Sequence, residues 1–141
     1  MAKLNLTPRT WRGLLKLREF LTDCEGKFLR FDEDQLFYEL YLKLVPRKIA
    51  LEIIKRQMGG KKTALVANNF PYTKTLKCLP NIKHYCLWSI KGRLSEKDIK
   101  NHVLKKIKRG PWFYMERKVY AKTVPEIWHC HVFVRVRPLS V

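Results

Sequence analysis

Ile127-Trp128-His129-Cys130-His131-Val132-Phe133-Val134-Arg135-Val136 alternates two kinds of side chain with a period of two residues. Successive side chains of a strand point to opposite faces. Cys130, Val132, Val134 and Val136 therefore share one face, and His129, His131, Phe133 and Arg135 share the other. A strand with one uniformly valine-like face belongs to an antiparallel sheet packed on that side, so the histidine face is expected to look into a cleft or solvent.

Working back from this strand, Trp112 to Arg117 reads as another, closed on its amino side by Gly110-Pro111. Ser95, with Asp98 three residues on, marks the start of a helix running to about Arg109. His84 to Ile90 is an aromatic and apolar run ended by Gly92, and Thr63 to Ala67 is a short apolar run ended by Asn68-Asn69 and Pro71; both read as strands. Before Gly59-Gly60 the period is helical. Thr7-Pro8 caps a helix to about Thr22, Asp32 caps one with Leu36, Phe37, Leu40, Tyr41 and Leu44 in a stripe, and Pro46 opens a third carrying Ile49, Leu51, Ile53 and Ile54. The pattern predicts an α+β fold in one domain over residues 1–141. Its helical half, 1–60, packs on one face of a mostly antiparallel sheet of about four strands, and the half 61–141 carries the sheet and one inserted helix.

The 141 residues suit a single core, and 46% apolar content is enough to build one. Thirty Lys and Arg against twelve Asp and Glu leave +18, well beyond the magnitude of about 2–8 that solubility asks of a small domain. So large a surplus implies a polyanionic partner, nucleic acid first. No apolar stretch reaches the roughly 18 residues of a membrane span and the amino end has no secretory pattern, so the chain is expected inside the cell, nuclear or cytoplasmic. The four cysteines include no CxxC pair and read as thiols.

Two constellations carry chemistry. His129 and His131 lie about 6.5–7 Å apart along one strand face, a separation that suits one phosphate, one metal or a nucleophile and its base, although a structural imidazole is equally compatible. His84, on another strand, and Asn69, on the turn after the first strand, complete a candidate catalytic set of His131, His129, His84 and Asn69. His84 and Cys86 repeat the spacing, but no metal set and no cofactor motif is assigned. The second constellation is the basic residues that recur in every segment. Lys61, Lys62, Lys74, Lys77, Lys83, Arg93, Lys105, Lys106, Arg109, Arg117, Lys118 and Arg135 are the candidate phosphate contacts. No zinc-finger spacing, ribonucleoprotein motif or Gly-rich phosphate loop accompanies them, so backbone contacts without base readout are expected.

Thr10-Trp11, Arg30-Phe31-Asp32-Glu33-Asp34-Gln35-Leu36 with Tyr41, Asn68-Asn69-Phe70-Pro71-Tyr72, Pro80 to His84 with Trp88-Ser89, and Trp128 to Phe133 together resemble the fungal N-acetylglucosamine-induced protein family, a group of uncharacterised function. The resemblance runs along nearly the whole chain and implies that these polar positions belong together. Cys86, where an aliphatic residue is expected, and the high basic charge depart from that pattern. A fainter likeness to histidine-triad nucleotide hydrolases and transferases would make His131 a nucleophile on phosphorus with His129 beside it. Phe133 then occupies the third triad position.

Two functions follow as expectations. The first is a nucleic-acid-binding protein that grips backbone phosphates, alone or within a nucleoprotein assembly. The alternative is a phosphate-ester or nucleotide hydrolase or transferase built on His-x-His.

Overall fold

The computed structural model describes residues 8–23, 30–79, 81–107, 110–116 and 126–136. The period-two runs form strands β1 (Thr63–Ala67), β2 (Ile82–Ser89), β3 (Trp112–Met115) and β4 (Trp128–Arg135). The helical runs form α1 (Trp11–Asp23), α2 (Asp32–Leu44), α3 (Arg47–Gln57) and α4 (Glu96–Lys106). The strands make one antiparallel sheet in the order β1-β2-β4-β3, so the fold is α+β. β2 and β4 lie at its centre, with Cys86 opposite His131 and Trp88 opposite His129.

Both faces of the sheet are covered. On the valine face, Leu65, Leu87, Cys130, Val132 and Val134 pack with Ile99 and Val103 of α4. On the histidine face, Phe113, Met115 and Phe133 pack with Leu14 and Leu17 of α1, and Cys86 and Trp88 pack with Ile54 and Met58 at the end of α3. The expectation of an open histidine face is therefore corrected, with the N-terminal helices on the histidine side and the inserted helix on the valine side. The cause is the company the imidazoles keep. Phe113, Met115, Phe133 and Trp88 share their face, and each large apolar side chain withdrawn from water contributes about 1.5–3 kcal/mol.

Helix starts differ from the sequence reading for local reasons. Thr7 lies outside the described residues, and α1 begins at Trp11 with the Thr10 hydroxyl accepting the Gly13 N–H at 3.0 Å. In α2 the cap position is Phe31, whose N–H donates to the Thr73 hydroxyl at 3.1 Å, while that hydroxyl donates to Asp34 at 2.7 Å. No side chain caps the first turn of α2, and Asp32 is its first helical residue, with the Thr73 hydroxyl tying the cap residue Phe31 and the Asp34 carboxylate to a distant loop. Ser95 does cap α4, accepting the Asp98 N–H at 3.1 Å. That helix stops at Lys106 because Ile107 turns to extended backbone and joins the valine-face core. In the turn into β3, Gly110 has φ +97°, and a Cβ there would collide with the Arg135 carbonyl.

Candidate functional site

The pairing of β2 with β4 brings His84 and His131 together, with 2.8 Å between His84 Nε2 and His131 Nδ1. The Pro71-Tyr72 turn folds over them. The Tyr72 N–H donates to His84 Nδ1 at 3.4 Å, and the Asn68 Nδ2 lies 3.1 Å from His84 Nε2, so N–H donors face both ring nitrogens. His131 Nε2 in turn lies 3.3 Å from the Tyr72 hydroxyl. Asn68 completes the cluster. Its carbonyl accepts the Phe70 N–H at 2.7 Å, which fixes the amide so that Nδ2 donates to Cys86 Sγ at 3.2 Å beside His84. His84 and His131 are each 7% exposed.

Burial, and then the charge of Arg30, push the His84 pKa down to about 3. Burial pushes the Cys86 thiol up to about 12, against smaller opposing effects of Arg30 and the Asn68 hydrogen bond. Near neutral pH His84 is therefore uncharged and Cys86 is a thiol, a weak base and a weak nucleophile respectively. Arg30 is the residue whose role the sequence concealed. It donates to the Phe70 carbonyl at 2.8 Å and to Gln35 at 3.1 Å, and its guanidinium lies over the rings of Tyr38 and Tyr72 at 4.2 and 5.0 Å. Its contact with Phe70 spans forty residues of chain, which spacing alone does not disclose.

The other candidate catalytic residues fall elsewhere. His129 contacts the Ile127 carbonyl through Nδ1 at 3.2 Å and lies against Trp88 with ring centroids 4.3 Å apart. Its ring centroid is 5.8 Å from that of His131. Asn69 is exposed and exchanges amide hydrogen bonds with Gln57 at 2.9 and 3.2 Å, so Asn68 takes the position in the cluster expected of its neighbour. Asn68 and Tyr72, His84 and Trp88, and His129 and His131 lie on or over one sheet face. Among the described residues, no group of three or more His, Cys, Asp or Glu is placed to hold a metal ion.

The basic candidates divide in three. Arg109, Arg117 and Lys118 lie outside the described residues. Two are tied into the structure: Arg93 pairs with Glu116 at 3.2 Å, and the Lys106 ammonium donates to the Leu65 carbonyl at 2.6 Å, bracing α4 on β1. Lys61, Lys62, Lys74, Lys77, Lys83, Lys105 and Arg135 make no ion pair among the described residues. Of these, Lys61 and Lys62 enter β1 opposite the Ser89 end of β2, whereas Lys83 and Arg135 sit at the other end, where Ile82 pairs with Arg135. The cations thus reach both ends of the sheet.

No family model matches the chain, and no curated protein matches it. Among solved structures, the crystal structure of HTC1 is similar, with a TM-score of 0.55 and 14% identity over 90% of this chain and 85% of that one. At that identity the likeness bears on the fold alone. Among the described residues, no helix is long and apolar enough to cross a membrane.

Proposed function

We propose that the protein binds nucleic acid through the phosphate backbone. The observation that carries this reading is the set of exposed cations, Lys61, Lys62, Lys77, Lys83, Lys105 and Arg135, that make no ion pair among the described residues on a chain of net charge +18. A large surplus of positive charge carries a cost in self-repulsion, and binding of phosphates relieves it with release of counterions. Such a partner places the protein in the nucleus or cytoplasm, alone or within a nucleoprotein particle. Membership of the fungal N-acetylglucosamine-induced family belongs to the same proposal and rests on the stretches that meet over the histidine face.

Fluorescence anisotropy with DNA and RNA oligomers across a salt series tests it. Engagement of about four phosphates gives a log–log slope of about −3. Binding weaker than micromolar at about 50 mM salt, with no slope, removes the reading.

A second reading has one observation in its favour, the 2.8 Å contact that sets His131 beside another imidazole, as a phosphate-ester hydrolase or transferase would need. The low pKa and burial of His84 weigh against it. If it holds, a nucleotide panel is turned over by the wild type, and His131→Gln loses that turnover while keeping a cooperative melt. Turnover unaltered by His131→Gln ends it.

A further inference from the structure

We propose that the cleft between the start of α1 and the end of β4 is a single-strand site. It takes the sugar-phosphate chain of single-stranded nucleic acid on Arg9, Arg12 and Arg135 and stacks a base against Trp11. The proposal rests on the nucleic-acid reading and names where, and in what form, the ligand is held.

The cleft has a volume of about 740 Å³, with Arg9, Trp11 and Arg12 on one wall and Asn81, Ile82 and Arg135 on the other. None of the described residues lining it is acidic. The three arginines are exposed and make no ion pair among the described residues, so their guanidinium forks are available to phosphate oxygens, which they suit in pairs of parallel hydrogen bonds. Trp11 is half-buried. Its ring rests against Phe113 with centroids 5.3 Å apart, so the indole is held by the core where it lines the cleft. A fixed indole beside cations is the combination that single-strand binders use, because every base offers a π-face.

The second wall is fixed by backbone. The Arg135 N–H donates to the Pro111 carbonyl at 2.9 Å and the Val136 N–H to the Asn81 carbonyl at 2.7 Å. Asn81 holds the left-handed conformation, φ 69°, at the entry to β2. Gly110 lies so close to the Arg135 carbonyl that any side chain there would displace it. A site whose walls are already in place loses little freedom when the ligand arrives.

Size separates single strands from duplexes. A cleft of about 740 Å³ has room for a short stretch of one strand. A duplex is far wider, since its major groove alone spans about 12 Å, and it can touch only the rim.

The test uses the full chain and three labelled probes of one sequence: a single-stranded RNA 12-mer, the single-stranded DNA 12-mer and the DNA duplex. Variants are Arg12→Ala/Arg135→Ala, Trp11→Leu, and Lys61→Ala/Lys62→Ala as a control at the opposite end of the sheet. The arginine pair is exposed, so a thermal melt close to wild type is expected and is checked first. Arg12→Ala/Arg135→Ala should weaken both single strands ten-fold or more while weakening the duplex no more than the control does. Trp11→Leu keeps an apolar side chain against Phe113 and should weaken the single strands about five-fold or more, sparing the duplex. Loss in the arginine variant equal to the control on every probe overturns the cleft and leaves the nucleic-acid reading intact. Absence of binding by the wild type to all three probes overturns that reading itself.

Discussion

His84 is enclosed so that protonation has nowhere to be satisfied: Nδ1 faces the Tyr72 N–H, Nε2 faces the Asn68 amide and His131, and Arg30 adds positive charge nearby. With its pKa down at about 3 against an ordinary 6.5, the unfolded state binds more protons than the folded one between those values. The stability that this contributes is complete above pH 6.5 and is lost as pH falls towards about 3, at up to roughly 1.4 kcal/mol per pH unit for one proton. Cys86 works in the opposite direction. Its thiol, up at about 12 from 9.0, keeps its proton where the unfolded thiol has lost it, so this contribution is complete below pH 9 and is lost as pH rises towards 12. Urea midpoints should thus be flat, as far as these two groups go, from about pH 6.5 to 9 and fall on both sides. His84→Gln should flatten the acid limb and Cys86→Ala the alkaline limb. An acid limb of unchanged slope in His84→Gln would show that other groups set it.

α2 shows how an element can be plain in sequence and still be misjudged in its setting. Its stripe of Leu36, Phe37, Leu40, Tyr41 and Leu44 predicts a helix, and a helix forms, yet none of its residues is buried. Leu36, Phe37, Leu40 and Leu44 are 57%, 65%, 44% and 71% exposed. What holds α2 is a point attachment, in which Phe70 contacts Phe37, Tyr38 and Tyr41, with centroids 4.8 and 4.9 Å from the two tyrosines. The Asp34–Thr73 and Arg30–Gln35 hydrogen bonds add to it. Phe70→Ala should therefore release α2 selectively. Amide exchange should quicken across residues 32–44 while β2 and β4 keep their protection, and global stability should fall by about 1–2 kcal/mol, less than a fully buried Phe would cost. Protection lost uniformly over sheet and helix would instead place Phe70 in the main core.

The strands were legible because period two and turn residues are local signals, and Thr63–Ala67 lies where Asn68-Asn69 and Pro71 bound it. Helix caps were less so. Phe31, not Asp32, takes the cap position of α2 and its N–H meets the Thr73 hydroxyl across more than forty residues of chain, a contact that leaves no trace in spacing. The same holds for the site. Alternation put His129 and His131 on one face, but it could not show that β2 pairs His131 with Cys86, nor that Asn68 and not Asn69 would turn inward.

At the scale of the whole molecule the charge is the term without a counterpart. Among the described residues, two ion pairs, Arg47–Glu126 and Arg93–Glu116, engage basic side chains, and four carboxylates cluster on α2 at Asp32, Glu33, Asp34 and Glu39. The remaining surface therefore repels itself, over about 30 Å at 0.01 M salt and about 10 Å at 0.1 M. Two salt responses of opposite sign follow. Without ligand, Tm should rise between 0.01 M and 0.1 M NaCl, as screening removes repulsion that the folded chain concentrates. With excess single-stranded oligonucleotide, Tm at 0.01 M should stand well above that of the free protein, because binding to the folded state alone stabilises it by mass action. The increment should shrink as salt displaces the phosphates, so the two curves converge. Differential scanning fluorimetry at matched ionic strengths reads both. A free-protein Tm that falls over this range would mean that attractive pairs outweigh repulsion, and the surplus of positive charge would then call for no polyanion.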